Sequence, residues 1–407
     1  MILPSPVEPS DKPERVLERT RAMNSTSQEN EGLTRRELGK KAALGILGLA
    51  AASAGGRNSA GSDEKTEGGE TLGSSYSLIV DAYAHISPPK YTEILRKDHP
   101  GFYNNMLGPC IPLYDMSERF RIMDKYPGVV QVLTVGPVPP LESFADQNKS
   151  VDLAKRANDE MAEMVSKYRD RFVAAIALLP MNNIDAAVKE ADRAVNTLRF
   201  KGIYVHSNIN GKPLDSPEFL PLFEMMSKHN LPVYIHPWRG DDVPEYASEK
   251  TSKYMIASVF GWPYETTAAM TRIVFSGLFE KFPNLKVVTH HCGGMIPYYE
   301  QRIVQHYGQQ ERRGAAPKEL NKTPVEYYKM FYNDTAIHGN TPALMLAYHF
   351  WGAGHIVFGA DMPLGDYYFG LRSYRQTINA IEAMDISAAE KRMILAENAL
   401  RLLRIAI

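Results

Sequence analysis

The chain has 407 residues, 44% hydrophobic and 23% charged, with 46 Lys and Arg against 47 Asp and Glu and a net charge of −1. That length can bury a sizeable core, and the even balance excludes the basic surface that nucleic acid or an anionic membrane requires. The two cysteines, Cys110 and Cys292, have neither CxxC nor zinc-finger spacing and point to no disulfide framework.

Residues 1–76 read as a leader. They are rich in Ser, Glu, Gly, Lys and Arg and poor in aromatics, a composition that cannot offset the entropy of ordering it. Within them, LTRRELGKKAALGILGLAAASAGG resembles a twin-arginine export signal: the pair Arg35-Arg36, an apolar run from Ala42 to Ala52, and Ala52-Ser53-Ala54 as a small-residue cleavage site. The apolar run is too short for a permanent span. The expectation is export to the periplasm with no stable membrane anchor. The stretch ahead of the arginine pair is long for such a signal, and a start at Met23 would shorten it.

From residue 77 onward, short apolar runs alternate with stretches of helical period. The strand-like runs are Leu78–Ala82, Val129–Val135, Phe172–Leu179, Gly202–Val205, Pro232–Ile235, Leu285–Thr289, a weak Phe331–Asn333, and His355–Phe358. Helical period is expected over Asn148–Arg169, Ile184–Asn196, Phe219–His229, Tyr264–Phe279, Thr341–His349 and Ser387–Leu403. Continuous Val- and Ile-rich runs suit parallel strands buried on both faces. Eight such units predict a single α/β domain, a (β/α)8 TIM barrel over residues 77–407, with a doubly wound sheet as the alternative. Two long connections, residues 86–128 and 237–263, are rich in Pro and aromatics and suit loops over an active site.

Polar residues gather where these runs end: His85, His206, His236, His290, His291 and Asp361. A barrel brings its strand ends to one mouth, and imidazole with carboxylate is the donor set of a catalytic divalent metal. The stretches VDAYAHISP, VYIHPW, VVTHHCGGMIPYYEQR and IVFGADMP together resemble the amidohydrolase-related barrels of the aminocarboxymuconate semialdehyde decarboxylase-like group. The resemblance implies a metal-dependent barrel, often a homodimer, acting on a small carboxylic acid, mostly by decarboxylation and in some members by hydrolysis. It implies one divalent ion, zinc first and manganese or iron next, held by His85, His236 and Asp361. It implies His291 and Asp361 as catalytic residues and Arg119 as the grip on a substrate carboxylate.

Tyr83 departs from the pattern, standing where the group has His or Glu. Phenol is a poor ligand unless the metal lowers its pKa. Tyr83 is therefore either a weak ligand or a bystander, with His206 and His290 as possible replacements, although strand alternation would turn His290 away from His291. Trp238, Phe260 and Trp262 are expected to wall a pocket for a planar acid. A metal-dependent decarboxylase of an unsaturated or aromatic acid is the first expectation. A hydrolase of a lactone, amide or C–C bond is the second, and a barrel that only binds a small ligand is the third.

Overall fold

The computed structural model describes residues 76–136, 139–317, 320–366 and 370–406. The leader, with its arginine pair and cleavage site, lies outside them apart from its last residue, Tyr76. Among the described residues no helix is long and apolar enough to cross a membrane.

Seven parallel strands follow the apolar runs. They are β1 (Ile79–Ile86), β2 (Val129–Val135), β3 (Phe172–Ala175, resumed at Ala177–Leu178), β4 (Ile203–His206), β5 (Pro232–His236), β6 (Lys286–Thr289) and β7 (Tyr332–Asn333). Each pairs in parallel with the next. The join across β3 is made by the N–H of Ile176 donating to the Leu133 carbonyl and that of Ala177 to the Gly202 carbonyl.

The eighth position, expected as the strand His355–Phe358, is thin. His355 ends a short 3-10 turn, and only a bridge between Asn333 and Ile356 links the segment to β7. It still closes the ring. The N–H of Val357 donates to the Asn333 carbonyl on one side, and the N–H of Ala82 in β1 donates to the Phe358 carbonyl on the other, both at 2.8 Å. The result is a TIM barrel.

Two boundaries bear on function. β1 runs four residues past the expected Ala82, so Tyr83 and His85 lie inside the strand, two apart and on one face. Residues 86–128, expected as an open loop, carry helices Pro89–Asp98 and Met116–Met123. The prolines that suggested a loop sit partly at first helical turns, where a missing N–H costs nothing. The tail helix is broken into Ala388–Arg392, a π turn at Met393–Glu397 and Asn398–Leu403.

Candidate metal centre

β1, β5 and β6 deliver three imidazoles to one point. His85 lies in β1, His236 is the last residue of β5, and His290 follows the last residue of β6. Their ring centres form a near-equilateral triangle: 5.3 Å from His85 to His236, 5.3 Å from His85 to His290, and 5.0 Å from His236 to His290. One nitrogen from each lies within 4.8 Å of the others.

Which nitrogens face inward follows from the partners of the others. His236 Nδ1 donates to the Pro237 carbonyl at 2.7 Å, and His290 Nδ1 pairs with Asp334 Oδ2. Thr134 Oγ1 donates to the Ala84 carbonyl, leaving its lone pairs to accept from His85 Nδ1 at 3.2 Å. With each Nδ1 so engaged, Nε2 is the atom that each ring turns inward. The glycine after β2 makes room for this: a Cβ on Gly136 would come within 2.5 Å of His85 Nδ1.

Asp361 caps the triangle. One carboxylate oxygen lies 3.2 Å from His85 Nε2 and 3.3 Å from His290 Nε2. Burial alone would raise its pKa, but the hydrogen bonds and charge of His290 and His85 hold it well below the usual carboxylate range. Burial pulls His290 down, yet the carboxylates of Asp334 and Asp361 outweigh it and push that imidazolium up to about 10. His85 and His236 are lowered, first by burial. Three inward-facing Nε2 atoms around a buried carboxylate make a metal-binding donor set once His290 gives up its second proton. A divalent cation fits this donor set.

His291 borders the centre on its other side, its ring 4.0 Å from that of His290 and 6.1 Å from Trp262, nearly parallel to the indole. One ligand atom each from His290, His291 and Asp361 also lies within 4.8 Å of the rest. Burial lowers the His291 pKa to about 3, so the ring is neutral at pH 7.

The expectation that His290 points away from His291 is corrected. β6 ends at Thr289, and His291 takes a left-handed φ of 55°, so strand alternation no longer governs the pair. Gly293, at φ +70, permits the turn that follows. A Cβ there would collide with the Trp351 ring.

Arg119 is tied to the backbone at the end of β1. It is fully buried, donating from Nε to Gln131 Oε1 and from Nη1 to the carbonyls of His85 and Pro112. It braces the end of β1 through these bonds, while its Nη2 meets no hydrogen-bond partner among the described residues. Tyr83 is buried, stacked on His290 at 4.2 Å, with its hydroxyl unpartnered and its pKa raised well above 10, first by burial. His206 stays outside both imidazole groups, its ring 6.0 Å from that of His236.

Trp238 lines a cleft of about 610 Å³ with Glu142, Ser207, Arg239 and Glu265. Trp262 packs edge-on to His236 at 5.5 Å. Phe260 is 62% exposed. Asp334 was not foreseen. Its only sequence signal is an acid directly after the weakest strand, at the position where other strands place histidine.

The comparisons with known proteins agree with this geometry. The amidohydrolase family model matches residues 84–405. The chain is 29% identical over 349 residues to 2-amino-3-carboxymuconate-6-semialdehyde decarboxylase of Dictyostelium discoideum, covering 80% of this chain and 92% of that one. It is 30% identical over 287 residues to a gamma-resorcylate decarboxylase of Polaromonas sp., covering 67% and 85%. A solved dihydroxybenzoic acid decarboxylase from Polaromonas sp., with bound manganese and the inhibitor 2-nitroresorcinol, superposes with a TM-score of 0.65 at 26% identity, covering 81% of this chain and 97% of that one. Because its relatives are enzymes across nearly their whole length, the barrel that only binds a ligand is set aside. The chain belongs to the amidohydrolase family and is one of its enzymes.

Proposed function

We propose that the protein is a metal-dependent decarboxylase of a small aromatic or unsaturated carboxylic acid. The observation that carries this is the Asp361 carboxylate set between His85 and His290 with neutral His291 beside it, in a chain 29% identical over 80% of its length to a decarboxylase.

His85, His236 and Asp361 would hold the ion. A divalent cation there supplies Lewis-acid polarisation of the substrate oxygens. The donor set suits zinc, which we propose as the resident ion; manganese, the metal of the Polaromonas structure, is the other outcome of elemental analysis. Loss of CO2 leaves an electron pair on carbon that must take a proton. Asp361 starts ionised, so it first accepts a proton, from a substrate hydroxyl or from solvent, and returns it to that carbon. His291, neutral, is placed to hold the substrate by a hydrogen bond, and Trp262 offers a flat wall beside it.

The test is CO2 release from a panel of hydroxybenzoic and unsaturated acids by the metal-loaded chain. Release from at least one acid, lost in Asp361→Asn, is expected. Consumption of lactones or amides with no CO2 from any acid would replace this reading with the hydrolase.

We further propose export by the twin-arginine route, supported by Arg35-Arg36 and the apolar run after them; fractionation should find the chain in the periplasm, and Arg35→Lys with Arg36→Lys should retain it in the cytoplasm. A homodimer, which the resemblance implies, is read by light scattering.

A further inference from the structure

We propose that His290, held by Asp334, is a ligand of the divalent metal and fills the place that strand one leaves at Tyr83, so that the ion sits among His85, His236, His290 and Asp361. This rests on the site being a metal centre, not on the reaction run there.

Three observations converge. His290 completes the triangle: without it, His85 and His236 leave one side open, and its Nε2 is as close to Asp361 as that of His85, at 3.3 Å against 3.2 Å. Its far side is built as a support. Asp334 is fully buried, pairs through Oδ2 with His290 Nδ1, and accepts through Oδ1 from the N–H groups of Cys292 at 3.0 Å and Ala336 at 3.1 Å. Both carboxylate oxygens are thus engaged, which fixes the tautomer and tilt of the ring, the arrangement that metal-binding imidazoles use.

Tyr83 supplies the third. Its ring lies 18° from parallel to that of His290, clamping one face, and its hydroxyl has no partner in the interior. A phenol must become an anion to ligate, whereas an imidazole ligates as a neutral ring, through Nε2 when Nδ1 keeps the proton. Loss of a ligand on β1 and its gain on β6 are therefore one exchange: the side chain that cannot bind holds in place the one that can. Among the described residues, His206 also lies near the centre, its ring 6.0 Å from that of His236, and it falls outside the cluster.

The test uses the full chain loaded with zinc and with no substrate. X-ray absorption at the zinc edge should count three imidazoles in the wild type and two in His290→Gln. In competition with a chelator, His290→Gln should weaken zinc binding by at least ~10–100-fold, Asp334→Asn by ~10-fold, and Tyr83→Phe by no more than ~2-fold. Two imidazoles in the wild type would overturn the proposal, and so would a natively folded His290→Gln with wild-type affinity, since His290 would then only bridge Asp334 and Asp361. If His290→Gln does not fold, the wild-type count and Asp334→Asn decide. A chain that holds zinc on three imidazoles but releases no CO2 sinks the decarboxylase and leaves this ligand set; a decarboxylase with two does the reverse.

Discussion

Tyr83 lies flat against His290, ring centres 4.2 Å apart, while its buried hydroxyl meets no hydrogen-bond partner. The site therefore uses the ring and not the oxygen. Tyr83→Phe removes an unsatisfied polar atom and should leave stability unchanged or raise it by up to ~1 kcal/mol. Tyr83→Ala opens a cavity against His290 and should cost about 3–5 kcal/mol. Urea unfolding measures both, and a Phe variant destabilised by more than ~1 kcal/mol would mean the hydroxyl is bonded after all.

Asp361 sits at φ +55, a left-handed conformation that Asn adopts nearly as readily as Asp. Asp361→Asn should therefore keep the fold and the thermal midpoint while CO2 release falls by at least ~100-fold at saturating metal. Full activity in this variant would remove the acid–base role.

Arg119 separates a brace from a substrate clamp. Arg119→Ala leaves Gln131 and the buried carbonyls of His85 and Pro112 without their donor and should destabilise by about 2–4 kcal/mol. Were it a clamp, KM would rise with the melting temperature unchanged.

Glu142 gives the stability a pH slope. Its carboxyl is 9% exposed, one oxygen has no partner, and burial raises its pKa from 4.5 to about 7. Between those values the folded chain keeps a proton that the unfolded chain releases. Stability from this group is thus fully present below pH 4.5, falls as pH rises to about 7, and is flat above, with a span on the order of 3 kcal/mol. Glu142→Gln should lose this component, so unfolding at pH 5 and pH 8 should differ less than in the wild type.

Chelation should lower the melting temperature, because an ion that binds only the folded chain stabilises it by about 2.7 kcal/mol at a hundredfold excess over Kd. Differential scanning calorimetry before and after adding back zinc checks this. No shift would mean that the cluster holds no ion.

The strands that carry the site were legible because buried parallel strands are continuous apolar runs. Val129–Val135 and helix Ile184–Asn196 match their expected limits. The helices inside residues 86–128 were hidden by prolines that serve helix starts as well as loops. The burial of Arg119 was not legible because a charged residue on an amphipathic stretch looks the same in sequence whether it braces a backbone or meets a substrate.

What the sequence by itself determined is the family, the barrel and the strand-end residues that carry the site, since buried parallel strands are continuous apolar runs followed by polar residues. Only the tertiary structure decided which of those residues meet. His290 turns inward because the chain leaves extended geometry after Thr289, and it is aimed by Asp334, 44 residues on. Such a pairing depends on two strand ends being neighbours in the closed ring, a long-range relation that no local pattern encodes.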